Sequence, residues 1–157
     1  GTYDAAHWEV VGDAVKRHTG PGDRIHCWGY MPGVYLEARR INACRFTTAE
    51  KIGQVGIEAA FVLREIEEKL RGDPPVLITI QAEDYLWLHG RSPRGLPSDS
   101  TLGPWLDEHY QLVEEIPKFE TVLVFKRRDR VDPAGDANLD ERLGLLLGVS
   151  QPATTPS

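Results

Sequence analysis

Hydrophobic residues in this chain alternate between helical spacing and short continuous runs, a pattern typical of an α/β fold. Near the start, Trp8, Val11 and Val15 recur every three or four residues, which predicts an amphipathic helix ending before Gly20-Pro21. The segment that follows, Arg24–Trp28, is short, mostly apolar and bounded by glycines. These features predict a buried strand directly after the first helix.

A long helix and a second buried strand are predicted next. Thr47 and Glu50 have the spacing of a capping box, and apolar residues repeat with the helical period from there to Leu70. The sequence Gly-Asp-Pro-Pro at residues 72–75 stops this helix, and residues 76–80 form a continuous β-branched run. The strand-helix-strand order favours parallel pairing of the two buried strands.

Shorter elements fill the remaining intervals. A short helix is predicted over residues 34–39, a brief strand over 43–46 and another short helix over 101–110. Residues 111–116 and 120–126 are strand candidates whose separation suits a hairpin, while 88–100 lack periodicity and predict a surface loop. The predicted fold class is α/β: a three-layer sandwich with a mostly parallel central sheet and a C-terminal antiparallel β-hairpin.

Length and composition predict one domain. The chain has 157 residues with 41% hydrophobic content, which suffices for a single packed core. We assign residues 1–130 to that domain. Residues 131–157 are a polar tail, either flexible or carrying a short docking helix around its leucines, of which the last are Leu146 and Leu147.

Charge and motif content exclude several functions. The 18 basic and 24 acidic side chains give a net charge of -6 without a cationic cluster, so no nucleic acid partner is expected. Apolar runs fall far short of the roughly 20 residues that span a bilayer. The histidines lack metal-ligand spacing, and no glycine-rich phosphate loop follows the first strand, so neither a metal nor a cofactor is predicted. Cys27 and Cys44 are predicted as buried thiols, with pairing across neighbouring strands left open.

The carboxyl ends of the two buried strands supply the candidate ligand-binding residues. Ligands of open α/β sheets favour the crevice beyond these ends. Here the crevice holds Trp28 and Tyr30 after the first strand and Glu83 and Asp84 after the second. Aromatic rings beside carboxylates suit a sugar. The alternative is that the two aromatics close the end of the core and the two acids cap a turn.

A family resemblance rests on an ordered series of segments. Residues 21–25 (Pro-Gly-Asp-Arg-Ile) and Trp28-Gly29 resemble a signature in the C-terminal soluble domain of polytopic bacterial glycosyltransferases that use a polyprenyl-phosphate sugar donor. These enzymes include types similar to protein mannosyltransferases and aminoarabinose transferases. The similarity runs in order over roughly residues 5–128 and ends at the basic triplet 126–128. No single motif in it is specific.

The resemblance implies an extracytoplasmic, non-catalytic domain of a membrane glycosyltransferase. Its partners would be the transmembrane portion of the same polypeptide and a lipid-linked sugar donor or acceptor, with the domain covering the active site or binding the acceptor. The catalytic acid of the family lies in a loop between membrane helices that has no counterpart here, so no catalytic residue is carried over. In this setting Arg91 and Arg94 would contact a lipid or donor phosphate; otherwise they serve solubility.

Two other functional classes remain open from the residues alone. One is a free-standing cytoplasmic α/β enzyme that uses a nucleotide or S-adenosylmethionine, favoured by the strand and helix order. The other is a protein-interaction module, for which the leucines of the tail would supply apolar contacts.

Overall fold

The computed structural model describes residues 7–28, 32–43, 56–91, 100–118, 120–132 and 146–148. Helices and strands alternate along most of these ranges, and a 3-10 turn at Arg128–Arg130 follows the last strand. The helices are α1 (His7–His18), α2 (Pro32–Ala38), α3 (Gly56–Gly72), α4 (Ala82–Leu88) and α5 (Leu102–His109). The strands are β1 (Arg24–Trp28), β2 (Ile41–Asn42), β3 (Leu77–Gln81), β4 (Tyr110–Lys118) and β5 (Glu120–Arg127).

The five strands form one mixed sheet in the order β2-β1-β3-β5-β4. β1 pairs in parallel with β2 on one side and β3 on the other. β5 pairs antiparallel with β3 and with β4, its neighbour in sequence. The α/β class and the antiparallel hairpin are therefore confirmed. The described pairings divide equally between parallel and antiparallel, which makes this sheet mixed.

Side chains of β1 are buried on both faces of the sheet, which accounts for its continuous apolar sequence. Ile25 and Cys27 project to one face, His26 and Trp28 to the other, and all four are almost fully buried. Two separate hydrophobic clusters result. The first core contains Trp28, Ile66, Leu70, Ile78, Ile80, Tyr85, Leu88, Leu102, Leu106, Tyr110, Leu112, Leu123 and Phe125. The second core contains Val11, Ala14, Val15, Ile25, Cys27, Val34, Ala38, Leu77, Ile116, Val122 and Val124.

A β-bulge in β4 redirects one carboxylate. The register shifts between Leu112 and Glu114, so that Glu114 lies opposite Val124. Because the extra residue reverses the alternation of side chains, Glu114 turns away from the first core, which Leu112 joins, and faces α1. There the Arg17 Nη2 atom donates to both carboxylate oxygens at 2.9 and 2.7 Å, and His18 Nε2 lies at 3.7 Å. The bulge thereby ties α1 to the edge strand.

Most predicted elements are present with shifted ends. β1 has its predicted bounds, and β2 lies at Ile41–Asn42; of the strand predicted over residues 43–46, all but Ala43 lie outside the described residues. The predicted capping box at Thr47 and Glu50 and the second cysteine lie outside the described residues. Helix α4 was not predicted, since its seven residues are too few for a helical period to stand out beside the strand before it.

Candidate functional site

The predicted crevice lies where β1 and β3 end side by side. Trp28 is paired with Ile80 in the parallel ladder, and α4 begins directly after β3. Trp28, Glu83 and Asp84 therefore lie at the carboxyl ends of these two neighbouring strands, as the strand order predicts. Tyr30, the fourth candidate, lies outside the described residues.

Within this edge, the side chains have structural contacts. Trp28 is only 2% exposed and belongs to the first core, with its ring edge-on to that of His26 at a centroid distance of 6.1 Å. Glu83 and Asp84 are half-buried in the first turn of α4, where their charge complements the helix dipole, and each interacts with a neighbouring group. Trp28 closes the end of the core, and binding of a sugar by the four residues stays a prediction.

Arg91, one of the two predicted phosphate-contacting arginines, is held at the end of α4. Its guanidinium donates from Nη1 to the backbone carbonyl of Leu147 in the tail. The side chain is exposed, yet this contact commits one face of it to the chain's own C-terminal segment. Arg94 lies outside the described residues, and contact with phosphate stays a prediction for both arginines.

Three polar side chains form a cluster that the sequence did not predict. The Tyr85 hydroxyl, on a fully buried ring, donates to Asp107 Oδ1 at 2.8 Å. His89 Nε2 lies 3.2 Å from Asp107 Oδ2, and its ring meets that of Tyr85 at a centroid distance of 4.6 Å. The four-residue spacing of Tyr85 and His89 places both on one side of α4. Asp107 on α5 thus links the two helices.

Close backbone approach explains how this cluster forms. A Cβ atom on Gly103 would lie 2.7 Å from the Leu88 carbonyl oxygen and 3.2 Å from His89 Cδ2. Only glycine therefore allows the start of α5 to meet the end of α4 at this distance. Arg128 completes the arrangement, because its guanidinium donates to the Asp107 carbonyl at 2.9 and 3.3 Å. The cluster joins α4, α5 and the end of β5.

Chemically, the cluster resembles a positioned acid and base without a nucleophile. Asp107 is 37% exposed and accepts the Tyr85 hydroxyl on Oδ1, while His89 is 13% exposed and its Nε2 lies near Oδ2 without a hydrogen bond. A carboxylate that orients an imidazole is a common part of catalytic sites, but the remaining Asp107 oxygen is occupied by the buried Tyr85 hydroxyl. We interpret the cluster as a polar link between helices.

The turn that carries the family signature is built around Asp23. The Gly20 N–H donates to Asp23 Oδ2 at 2.7 Å, and the Asp23 N–H donates back to the Gly20 carbonyl at 3.0 Å. Arg130 Nη2 also donates to the two Asp23 oxygens, at 3.1 and 3.3 Å. The hydrogen bond from Gly20, followed by the charge of Arg130, holds the pKa of Asp23 below its usual value, although partial burial opposes this.

Polar contacts also clamp the segment between α3 and β3. Asp73 pairs with Arg24 Nη1 at 3.0 Å, and Arg127 Nη1 donates to the Pro74 carbonyl at 2.7 Å. The Tyr110 hydroxyl, which is buried, donates to the Pro75 carbonyl. Prolines lack a backbone donor but keep their carbonyls, and both carbonyls are satisfied here from β4 and β5. The start of β3 is thereby fixed between its neighbours.

Two buried groups in β1 lack the properties of catalytic residues. Burial raises the pKa of the Cys27 thiol to about 11, and the thiol is free, so the nucleophilic thiolate is scarce at neutral pH. Burial lowers the pKa of His26 to about 4, and a hydrogen bond to Asn42 opposes this only in part. His26 is thus neutral in the folded protein at physiological pH.

The described part of the chain contains neither a candidate metal site nor a candidate membrane-spanning helix. Among these residues, no group of three or more histidine, cysteine, aspartate or glutamate side chains is placed to hold a metal ion. No helix within the same ranges is long and apolar enough to span a bilayer.

Comparisons with known proteins give no match. No protein-family model, no curated protein and no solved structure is similar to this chain. The functional interpretation accordingly depends on the residues and their geometry.

Proposed function

We propose that this chain is a non-catalytic, extracytoplasmic domain of a membrane glycosyltransferase that takes its sugar from a polyprenyl phosphate. The domain acts beside the active centre, by covering it or by binding the acceptor. The transmembrane portion of the same polypeptide is its principal partner, and the lipid-linked donor or the acceptor is its ligand.

The observation that carries the proposal is the role of the signature residues. Asp23 of the Pro-Gly-Asp-Arg-Ile segment accepts hydrogen bonds from Gly20 and from Arg130, just past the end of the resembling region. Arg24 of the same signature and Arg127, close to the end of that region, both contact the segment before β3. The resemblance is thus carried by residues that hold distant parts of one domain together, which favours similarity of a whole domain over a chance match of one turn.

The contacts of several acidic side chains support a non-catalytic role for this domain. Asp23, Asp73 and Asp129 each pair with an arginine, and Glu114 pairs with Arg17. Asp107 is shared between a tyrosine and a histidine. Acid–base catalysis needs a carboxylate within reach of the substrate's proton, whereas these carboxylates serve contacts within the domain. Chemistry supplied by the membrane portion accords with this pattern.

The proposal includes the architecture of the domain. We propose that α1 and α2 form one outer layer and α3, α4 and α5 the other, around a sheet with a parallel majority. Support for two helical layers comes from the two cores, one on each face of β1. A parallel majority requires a further parallel strand beyond the pairings described above.

Deleting the domain from its parent protein tests the proposed role. Membranes containing the deletion variant would be supplied with polyprenyl-phosphate sugar and acceptor, and sugar transfer would be measured against the complete protein at equal membrane levels. We expect at least a 10-fold loss of transfer. Full transfer without the domain would overturn the accessory role.

A thermal-shift screen of the chain separates the proposal from a free-standing enzyme. Ligands present well above their Kd raise the melting temperature by mass action. Nucleotides and S-adenosylmethionine are therefore expected to leave the melting temperature unchanged. A saturable rise with either compound would favour the enzyme class instead.

A further inference from the structure

A segment of the C-terminal tail is seated on the first core. Leu146 and Leu147 are partly buried and pack against that cluster, although the nearest described residue before them is Asp132. The two leucines lie within an apolar stretch of the tail, residues 143–149 (Leu-Gly-Leu-Leu-Leu-Gly-Val).

The backbone of Arg91, which contacts that segment through its side chain, is fixed at the end of α4. The Gly90 N–H donates to the Trp87 carbonyl at 2.9 Å, and the Arg91 N–H donates to the Leu86 carbonyl at 2.8 Å. With Gly90 at φ +72°, these two bonds form a Schellman motif that ends α4. The backbone of Arg91 is thus fixed by the helix end, and its guanidinium is presented to solvent from a defined point.

The tail contacts this guanidinium through a backbone carbonyl that is followed by a glycine turn. Arg91 Nη1 donates to the Leu147 carbonyl, and Gly148 follows at φ +67°. A side chain at Gly148 would strain the backbone at this φ, whereas its Cβ atom would make only an ordinary contact with Arg91 Nη1, at 3.4 Å. The sequence Leu-Leu-Gly therefore fits this surface through two apolar side chains, one carbonyl and one glycine turn.

We propose that residues 146–148 form a removable strap latched by Arg91, and that the surface beneath is a binding site for a Leu-Leu-Gly segment supplied in trans. The seated segment itself defines the chemistry of the partner. Within the described part of the tail, two partly buried leucines and one hydrogen bond offset the ordering of the strap, a set small enough for exchange with a competing segment. This inference stands independently of the proposed function.

The test uses the full chain with its strap disabled by Leu146→Ser and Leu147→Ser. A fluorescein-labelled peptide with the sequence of residues 139–151 is titrated with protein, and binding is followed by anisotropy. We expect the strap-disabled chain to bind at least 10-fold more tightly than the unaltered chain, whose own strap competes. A peptide with both leucines replaced by serine is expected not to bind.

Variants at the latch make the test specific. Adding Arg91→Gln to the strap-disabled chain is expected to weaken peptide binding at least 5-fold, whereas Arg91→Lys keeps a donor and loses less. Arg17→Gln, on α1 and in contact with Glu114, is the matched control and is expected to change nothing. Binding that ignores Arg91, equal binding by the unaltered chain, or no binding by a folded strap-disabled chain would each overturn the proposal.

A second measurement tests the proposal even if the strap-disabled chain does not fold. Arg91→Gln alone, in the full chain, is expected to raise the fluorescence of the apolar dye ANS and to speed proteolysis within the tail. Unchanged dye binding together with unchanged proteolysis would contradict the latch.

Discussion

Asp23 and Arg130 form an ion pair at 3.1 Å that joins the turn before β1 to the segment after β5. The same carboxylate accepts the Gly20 N–H, so one side chain shapes the local turn and also fixes a distant one. The side chain of Asp23 is 16% exposed and that of Arg130 is 43% exposed, so solvent screens the ion pair more than the hydrogen bond from Gly20.

Asp23→Asn is expected to destabilise the fold by about 1 to 2 kcal/mol at pH 7, because a hydrogen bond to a charged group contributes about 1.5 to 3 kcal/mol and the asparagine oxygen keeps part of it. Arg130→Gln is expected to cost less than about 1 kcal/mol, because an exposed ion pair contributes little and the Gly20 bond persists. Urea unfolding of both variants measures the difference. An equal or larger loss for Arg130→Gln would contradict the primary role of the turn.

The same substitution has a defined pH dependence. The pKa of Asp23 is lower in the folded protein than its usual value of 3.8, so the folded state favours the ionised form. Its contribution is complete above that usual value and is lost as the pH falls further. The stability difference between the unaltered protein and Asp23→Asn is therefore expected to shrink between about pH 4 and pH 2. A difference that stays constant over this range would argue against the assigned ionisation.

His26 is expected to weaken the fold in mild acid. Its pKa is about 4 in the folded protein against a usual value of 6.5, so the unfolded chain binds a proton first. Stability is complete above pH 6.5 and falls as the pH drops towards 4; at about 1.4 kcal/mol per pKa unit, the loss is about 3 kcal/mol. His18, whose pKa burial also lowers, adds in the same direction.

Chemical unfolding between pH 7 and pH 4 checks this prediction. His26→Gln removes the titrating group and is expected to flatten the dependence of unfolding free energy on pH, whatever its effect at pH 7. His109→Gln, at an exposed position, is the control for replacing a histidine by glutamine. An equally steep slope in His26→Gln would show that other groups dominate.

Tyr85 and Asp107 are expected to be energetically coupled. Tyr85→Phe removes the donor to Asp107 Oδ1 and Asp107→Asn weakens the acceptor, each at a cost of about 1 kcal/mol. Because both substitutions act on one hydrogen bond, the double variant is expected to lose about 0.5 kcal/mol or more less than the sum. Thermal or urea unfolding of the four proteins supplies the cycle, and strict additivity would contradict the polar link between α4 and α5.

Gly103→Ala is expected to destabilise the fold by about 1 to 3 kcal/mol, since the added methyl group would meet the Leu88 carbonyl. Gly72→Ala is the matched control: nothing lies within 4 Å of a Cβ atom at Gly72, in the last turn of α3. That substitution is expected to be neutral or stabilising, because alanine has less freedom in the unfolded chain. Equal effects at the two glycines would contradict the close approach of α4 and α5.

Several elements could be predicted from local sequence because their signals are short-range. Gly20-Pro21 and the apolar run after it define the start and extent of β1, whereas Pro117, predicted in the connection of the hairpin, lies within β4 opposite Thr121. The ends of β2 and the existence of α4 could not be predicted, because two-residue and seven-residue elements carry too little periodicity. Their positions depend on pairing with β1 and on packing against the first core.

In the candidate site, too, some features follow from local sequence and others depend on tertiary packing. That Trp28 and Asp84 lie at one edge of the sheet followed from the strand order, whereas the burial of the Trp28 ring depends on side chains from other elements. The pairing of Tyr85 with Asp107 and of Arg91 with Leu147 joins residues far apart in sequence. No local pattern encodes such contacts, and the bulge that turns Glu114 towards α1 is likewise set by the ladder.

Fractionation of producing cells tests the central claim most directly. An antibody raised against this chain would be used to record both the apparent mass and the compartment of the native protein. The account predicts a band several times heavier than 17.6 kDa in the membrane fraction, with the epitope accessible from the extracytoplasmic side. A band near 17.6 kDa in the cytosolic fraction would contradict it.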